Sequence, residues 1–181
     1  MARLRALFSG KEPAAESVDL NEATREVLAL SLGELRRSRV SVVTDLADDL
    51  QCITADRVQL QQVVLNLLRN AVDAMDTVED RPREVHIRTE RDGDCVRLSV
   101  RDAGVGFEPH AADALFEPFY STKRDGMGVG LSVSRSIIEN HQGRLWAVRN
   151  DGPGATFAFS VPCRPDSAGG QAPHSCEEST A

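Results

Sequence analysis

Asn66, Asn70 and Asp73 interrupt VVLNLLRNAVDAM (63–75), a largely apolar stretch. At about 100° per residue, Gln59, Gln62, Asn66, Asn70 and Asp73 fall within about 40° of one line on a helix, while Leu60, Val64, Leu67, Leu68, Ala71 and Met75 lie opposite. Val63 and Leu65 flank the polar line, so these side chains form a narrow seam, as in the lining of a cleft. Amide oxygens and a carboxylate are hard ligands that suit Mg²⁺, which takes one or two protein oxygens and completes its octahedron with water and phosphates. A solvated stripe with no ligand is the competing reading.

Two glycine-rich loops carry the next candidates. In RDAGVGF (101–107), Asp102 ends a β-rich run, and Gly104 and Gly106 allow positive φ and close backbone approach. A carboxylate held at a sheet edge can accept a hydrogen bond from an exocyclic amine such as adenine's; a plain turn is the alternative. In GMGVGLSVSRSIIENHQG (126–143), Gly126, Gly128 and Gly130 precede an amphipathic helix whose N-terminus could hold phosphate, unless the glycines are only a hinge. The spacing fits neither the P-loop nor the Rossmann pattern. Between the loops, LFEPFYSTKRDGMG (115–128) offers Phe116, Phe119 and Tyr120 as lid anchors or core residues, then Ser121, Thr122 and Lys123. Lys123 could reach a phosphate as a point charge.

These residues need a scaffold to position them. Asp19 with Glu22 fits a capping box for a helix to about Ser38, with Leu20, Ala23, Val27, Leu30 and Leu35 at helical spacing. The strand VSVVTDL follows, and then Asp56 caps the asparagine helix. β-rich EVHIRTE (84–90), CVRLSVRD (95–102), RLWAVRN (144–150) and ATFAFSVP complete the pattern, with a helix over about 129–140 between the second and third. Irregular mixing of helices and strands argues against a doubly wound parallel sheet. The expected fold is α+β: a two-layer α/β sandwich with one mixed sheet and helices packed on one face. Residues 1–18 read as the stub of a preceding helix plus a linker, 19–162 as the domain, and 163–181 as a disordered tail.

A chain of 181 residues suits one core, and its net charge of -7 argues against a nucleic-acid partner. No apolar run is long enough to cross a bilayer, so no membrane contact by this domain is expected. Cys52, Cys95, Cys163 and Cys176 lack metal-site spacing and suit the reduced thiols of a cytoplasmic protein.

Taken in order, the asparagine helix, D-x-G-x-G, F-E-P-F-Y-S-T-K, G-x-G-x-G-L and the closing GPGATFAFSVP resemble the catalytic ATP-binding domain of bacterial sensor histidine kinases, members of the GHKL superfamily with DNA gyrase and MutL. The resemblance spans roughly 18–162 and implies the GHKL (Bergerat) fold, with ATP and Mg²⁺ as ligands. It makes NLLRNAVDA the N box, in which Asn70 coordinates Mg²⁺, Asn66 helps hold metal and phosphates, and Asp73 is a weaker candidate. Asp102, Gly104 and Gly106 match the G1 box, with Asp102 on the adenine amino group. Phe116 and Phe119 match the F box, and Gly126, Gly128, Gly130 and Leu131 the G2 box at the base of the ATP lid. Thr156 takes a position that helps fix adenine through water. The short lid, with Thr122 and Lys123, is similar to that of nitrogen- and oxygen-sensing kinases.

The departures are informative. His86, His110, His141 and His174 do not sit in a phosphoacceptor context, and His141 matches a structural position in the helix-to-strand turn. The acceptor histidine is therefore expected on a dimerisation domain upstream; RLRALFS resembles its last turns, which suggests an excised catalytic domain or truncated product. GHKL hydrolases place a glutamate where this chain has Asn66. An amide cannot act as a general base near neutral pH, so slow hydrolysis is expected. The resemblance implies donation of the γ-phosphate to that histidine, with a response regulator receiver domain downstream, in a parent that could be membrane-anchored. A non-catalytic nucleotide-binding module and a stand-alone anti-sigma-type serine kinase are the rivals.

Overall fold

A computed structural model describes residues 16–120 and 128–163. In chain order the elements are β1 (Glu16–Val18), α1 (Leu20–Arg37), β2 (Ser41–Leu46), β3 (Ile53–Ala55), α2 (Arg57–Ala74), β4 (Glu84–Asp92), β5 (Cys95–Asp102), α3 (Gly130–Asn140), β6 (Arg144–Arg149) and β7 (Ala155–Pro162). Single 3-10 turns at Pro109–Ala111 and Ala114–Phe116 separate β5 from α3. The stub expected before residue 16 and the tail beyond 163 lie outside the described residues.

Capping residues start the first two helices. The Asp19 carboxylate accepts from the backbone N–H groups of Asn21 and Glu22 at 2.8 and 3.1 Å, and that of Asp56 from Gln59 at 3.0 Å. Only half of the expected capping box forms at Asp19, because the Glu22 carboxylate pairs with Arg57 at 3.3 Å. Leu30, expected on the buried stripe of α1, is 86% exposed. It lies about 90° from the centre of the face formed by Leu20, Thr24, Val27, Ser31 and Leu35. The hydroxyls of Thr24 and Ser31 can be buried there because they donate to the carbonyls of Leu20 and Val27, at 2.7 and 2.8 Å.

The main sheet runs β2-β4-β5-β7-β6; β2 and β4 are parallel and the other pairs antiparallel, so the sheet is mixed. Strand alternation sends Val85 and Ile87 of β4, Val96, Leu98 and Val100 of β5, and Phe157, Phe159 and Val161 of β7 into the core. The three helices cover that one face. α2 is central, packed against α1, α3, β4 and β5, with Leu60, Val63, Val64, Leu67, Leu68 and Ala71 buried. The opposite sheet face is polar, and on it the guanidinium groups of Arg97 and Arg144 each lie 5.8 Å from the Trp146 ring.

A second, two-stranded sheet was not anticipated. β1 pairs antiparallel with β3, Val18 opposite Ile53, and buries both residues in the core. Three-residue strands are too short to show a period in sequence.

Phe159 is wholly buried, and Phe159→Ala should cost about 3–5 kcal/mol in urea denaturation. Leu30→Ala should stay within about 0.5 kcal/mol of the parent; comparable losses for both would contradict this core assignment.

Candidate functional site

Asp102 is the last residue of β5 and follows the alternation that buries Val96, Leu98 and Val100, so its carboxylate faces the helices at 3% exposure. Oδ1 accepts from the backbone N–H groups of Gly104, at 2.8 Å, and Ala155, at 3.3 Å. Oδ2 is equally buried and has no hydrogen-bond partner among the described residues. Burial pushes the carboxyl above the usual aspartate range, and the two backbone N–H groups oppose that rise without cancelling it. An unmatched buried acceptor of this kind is costly, and it fits an incoming N–H donor.

Close backbone approach explains the glycines around it. A Cβ on Gly104 would lie 2.6 Å from the carbonyl oxygen of Ala74, which also accepts from Val105 N–H at 3.1 Å. The loop after β5 is thereby laid on the C-terminal end of α2. Gly154 has φ +89°, and a Cβ there would come within 2.0 Å of the Asp102 carbonyl oxygen. Gly106, at φ +69°, faces Gly154 across the same junction.

The other end of the polar seam meets α3. Asn66 Nδ2 donates to Ser134 Oγ at 2.9 Å, and a Cβ on Gly130 would fall 2.5 Å from Asn66 Oδ1. Gly130 thus makes room for the Asn66 amide where it stands and is not selected by a positive φ. Gly128 does need its positive φ of 64°, and its carbonyl accepts from Phe119 N–H at 2.9 Å. Val129, the N-cap of α3, contributes no side-chain hydrogen bond, so the N-cap residue leaves the first N–H groups of this helix without a side-chain cap. Asn70 is half-buried one turn beyond Asn66, and Asp73 is exposed. From Asn66 to Ala74 the helix rises about 12 Å, linking the α3 end to the Asp102 end.

The two phenylalanines part company. Phe116 is buried, edge-on to Phe157 at a centroid distance of 6.5 Å and beneath the Arg135 guanidinium at 5.7 Å. Phe119 has φ +68° and is 81% exposed. Leu131 packs partly buried against the core. Thr122, Lys123 and Gly126 lie outside the described residues.

Thr156 requires correction. It pairs in register with Arg101, one residue before Asp102, so its side chain projects to the polar face of the sheet, away from the carboxylate. Its Oγ1 donates to Asn150 Oδ1 at 2.8 Å, and Ala155 is the β7 residue that reaches Asp102. Asn150, Ala155, Gly154 and Ser134 were missed in sequence; of these, only Gly154 carried a signal, as a glycine just before a strand.

The site therefore combines a buried carboxylate suited to an amine donor, an amide-bearing helix suited to a hard cation, and a helix N-terminus suited to phosphate that has no side-chain cap from its N-cap residue. Among the described residues no cluster of three His, Cys, Asp or Glu side chains could hold a metal, and no helix is long and apolar enough to cross a membrane.

Comparison with known proteins agrees with this arrangement. The sensor protein FixL of Bradyrhizobium diazoefficiens is 41% identical over 161 residues, covering 88% of this chain and 32% of FixL, so the chain spans about a third of that relative's length. The catalytic domain of histidine kinase ThkA superposes with a TM-score of 0.73 at 32% identity, over 82% of this chain and 95% of the domain. A ThkA structure in complex with the response regulator protein TrrA also matches, with a TM-score of 0.73 at 28% identity over 84% of this chain and 43% of that one. Full-length ShkA in complex with AMPPNP gives 0.75 at 29% identity, over 88% of this chain and 33% of ShkA. Residues 55–165 match the family described as histidine kinase-, DNA gyrase B-, and HSP90-like ATPase, and the chain belongs to that family as a catalytic domain of the sensor histidine kinase type.

Proposed function

We propose that this domain binds Mg-ATP along α2 and donates the γ-phosphate to a histidine carried by a separate dimerisation domain, as one part of a two-component sensor kinase. The observation that carries this reading is the buried Oδ2 of Asp102, which has no hydrogen-bond partner among the described residues. An ionised carboxylate kept out of water without a full set of donors lowers stability, and a base amino group is the complement it lacks. Asn70, helped by Asn66, would hold Mg²⁺, which when bound neutralises phosphate charge; Gly128 and Gly130 with the first N–H groups of α3 would hold the phosphates, and Lys123 would add a positive charge. The protein's contribution is positioning and charge neutralisation, as phosphoryl transfer requires.

The phosphate is reserved for a protein nucleophile because no general base stands at Asn66, whose amide is engaged by Ser134. His141 is also unsuited as acceptor. Its Nε2 accepts from Asp56 N–H at 3.0 Å and its Nδ1 donates to the Ile137 carbonyl at 2.8 Å, so both ring nitrogens are used to tie α3 to the start of α2. We extend the proposal to a response regulator receiver domain as the eventual phosphate acceptor and to a cytoplasmic location for this domain.

Two outcomes follow. Because the folded-state carboxyl of Asp102 titrates above its ordinary value of 3.8, its favourable contribution is complete below that pH and is lost as pH rises through the raised value. In nucleotide-free protein, the urea stability of Asp102→Asn relative to the parent should therefore grow as pH rises from about 4 to 7; parallel pH curves would contradict the burial cost. Incubation with γ-labelled ATP, Mg²⁺ and a separately supplied histidine-bearing dimerisation domain should give base-stable, acid-labile label. Asn70→Ala should reduce that label by at least about 10–100-fold with an unchanged melting temperature. Tight ATP binding with no transferred label would favour a non-catalytic module.

A further inference from the structure

Asn150 follows β6 and is tied to four backbone or side-chain groups at once. Its Nδ2 donates to the Asp102 carbonyl at 3.0 Å and to the Pro153 carbonyl at 3.0 Å, and its Oδ1 accepts from Thr156 Oγ1 at 2.8 Å. Its backbone N–H points to the Gly154 carbonyl at 3.4 Å. The orientation of this amide is unambiguous, because two carbonyl oxygens can be met only by the NH₂ end. The turn 150–154 is closed on itself by these bonds and fastened to the end of β5.

That turn delivers Ala155, whose N–H is one of the two donors holding Asp102 Oδ1. The same turn brings Gly154 against the Asp102 backbone, where not even a Cβ would fit. If the turn shifts, Oδ1 loses one of its two donors and the carboxylate is held by Gly104 alone, so the direction in which Oδ2 points depends on Asn150 although Asn150 does not reach Oδ2 itself. Thr156, on the polar face of the sheet, supports Asn150 from behind.

We propose that Asn150, backed by Thr156, is a positioning residue for base recognition: it fixes the turn that aims Asp102 Oδ2, and so sets the preference for a purine bearing an exocyclic amine. This inference rests on the reading that Asp102 meets that amine.

The test is calorimetric titration of the chain with Mg-ATP and with the Mg complex of purine ribonucleoside triphosphate, which lacks the amino group. Asn150→Asp keeps the shape and the acceptor for Thr156 but removes both donors. It should weaken ATP on the order of tenfold while changing the amine-free nucleotide less than about twofold. Thr156→Val, the milder change, should move the ratio the same way by about two- to fivefold. Equal weakening of both nucleotides would mark a merely structural role, and an unchanged ATP affinity in both variants would also overturn the inference. Asp102→Asn separates the two levels. If it collapses the discrimination and Asn150→Asp and Thr156→Val do not, only the positioning role falls. If parent and Asp102→Asn are alike in the ratio, base recognition by Asp102 falls, and the positioning role with it.

Discussion

One carboxylate, turned inward at the end of β5 and shut away from water, is the constraint around which this domain is arranged. Isolated buried charge is expensive, and here two backbone N–H groups satisfy one oxygen while the other has no partner among the described residues. Holding a carboxylate this way takes backbone rather than side chain. The turn before β7 comes within touching distance of Asp102 only because Gly154 lacks a Cβ, and the loop after β5 fits between Asp102 and Ala74 of α2 only because Gly104 lacks one. The destabilising group and the crowded backbone around it make sense together as a preformed socket for a donor from outside.

α2 joins that socket to the rest of the site. Its apolar side is the centre of the core, so its polar seam is held rigidly at the same time. The C-terminal end of the helix receives the Gly104 loop through the Ala74 carbonyl, while one turn before Asn70 the Asn66 amide sits against Gly130 and Ser134 of α3. The N-terminus of α3 is thereby set at a fixed position along α2. A helix that is both core element and site wall couples packing to chemistry: displacement of α2 against the sheet moves every amide in the seam by the same amount.

Much of this was legible in the sequence because it is written in local periods. The seam of Asn66, Asn70 and Asp73 follows from helical spacing, and β5 and β7 run over the stretches that their alternation marks. What escaped has three physical causes. β1 and β3 hold three residues each and carry no period. Leu30 kept roughly helical spacing, yet buried hydroxyls at Thr24 and Ser31 occupy the face it was assigned to, since a hydroxyl bonded to its own helix can pass for apolar. Thr156 was placed one residue from the position that matters. In a strand a single-residue slip exchanges the faces, so Thr156 lies behind the sheet while Ala155, chemically mute in sequence, supplies its backbone to Asp102. Asn150 was invisible for a related reason. Its importance is a set of bonds to residues 48 positions earlier and to a turn of its own making.

In the proposed complex, Asp102 Oδ2 receives the amino group of a nucleotide whose phosphates lie beside Asn66, Gly128 and Gly130. A crystal structure of this chain grown with Mg²⁺ and a nonhydrolysable ATP analogue tests this arrangement most directly. An adenine nitrogen should stand within hydrogen-bond distance of Oδ2, and a metal on the Asn70 amide oxygen. An analogue bound elsewhere, or Oδ2 satisfied by a rearranged protein group with the base turned away, would contradict this arrangement.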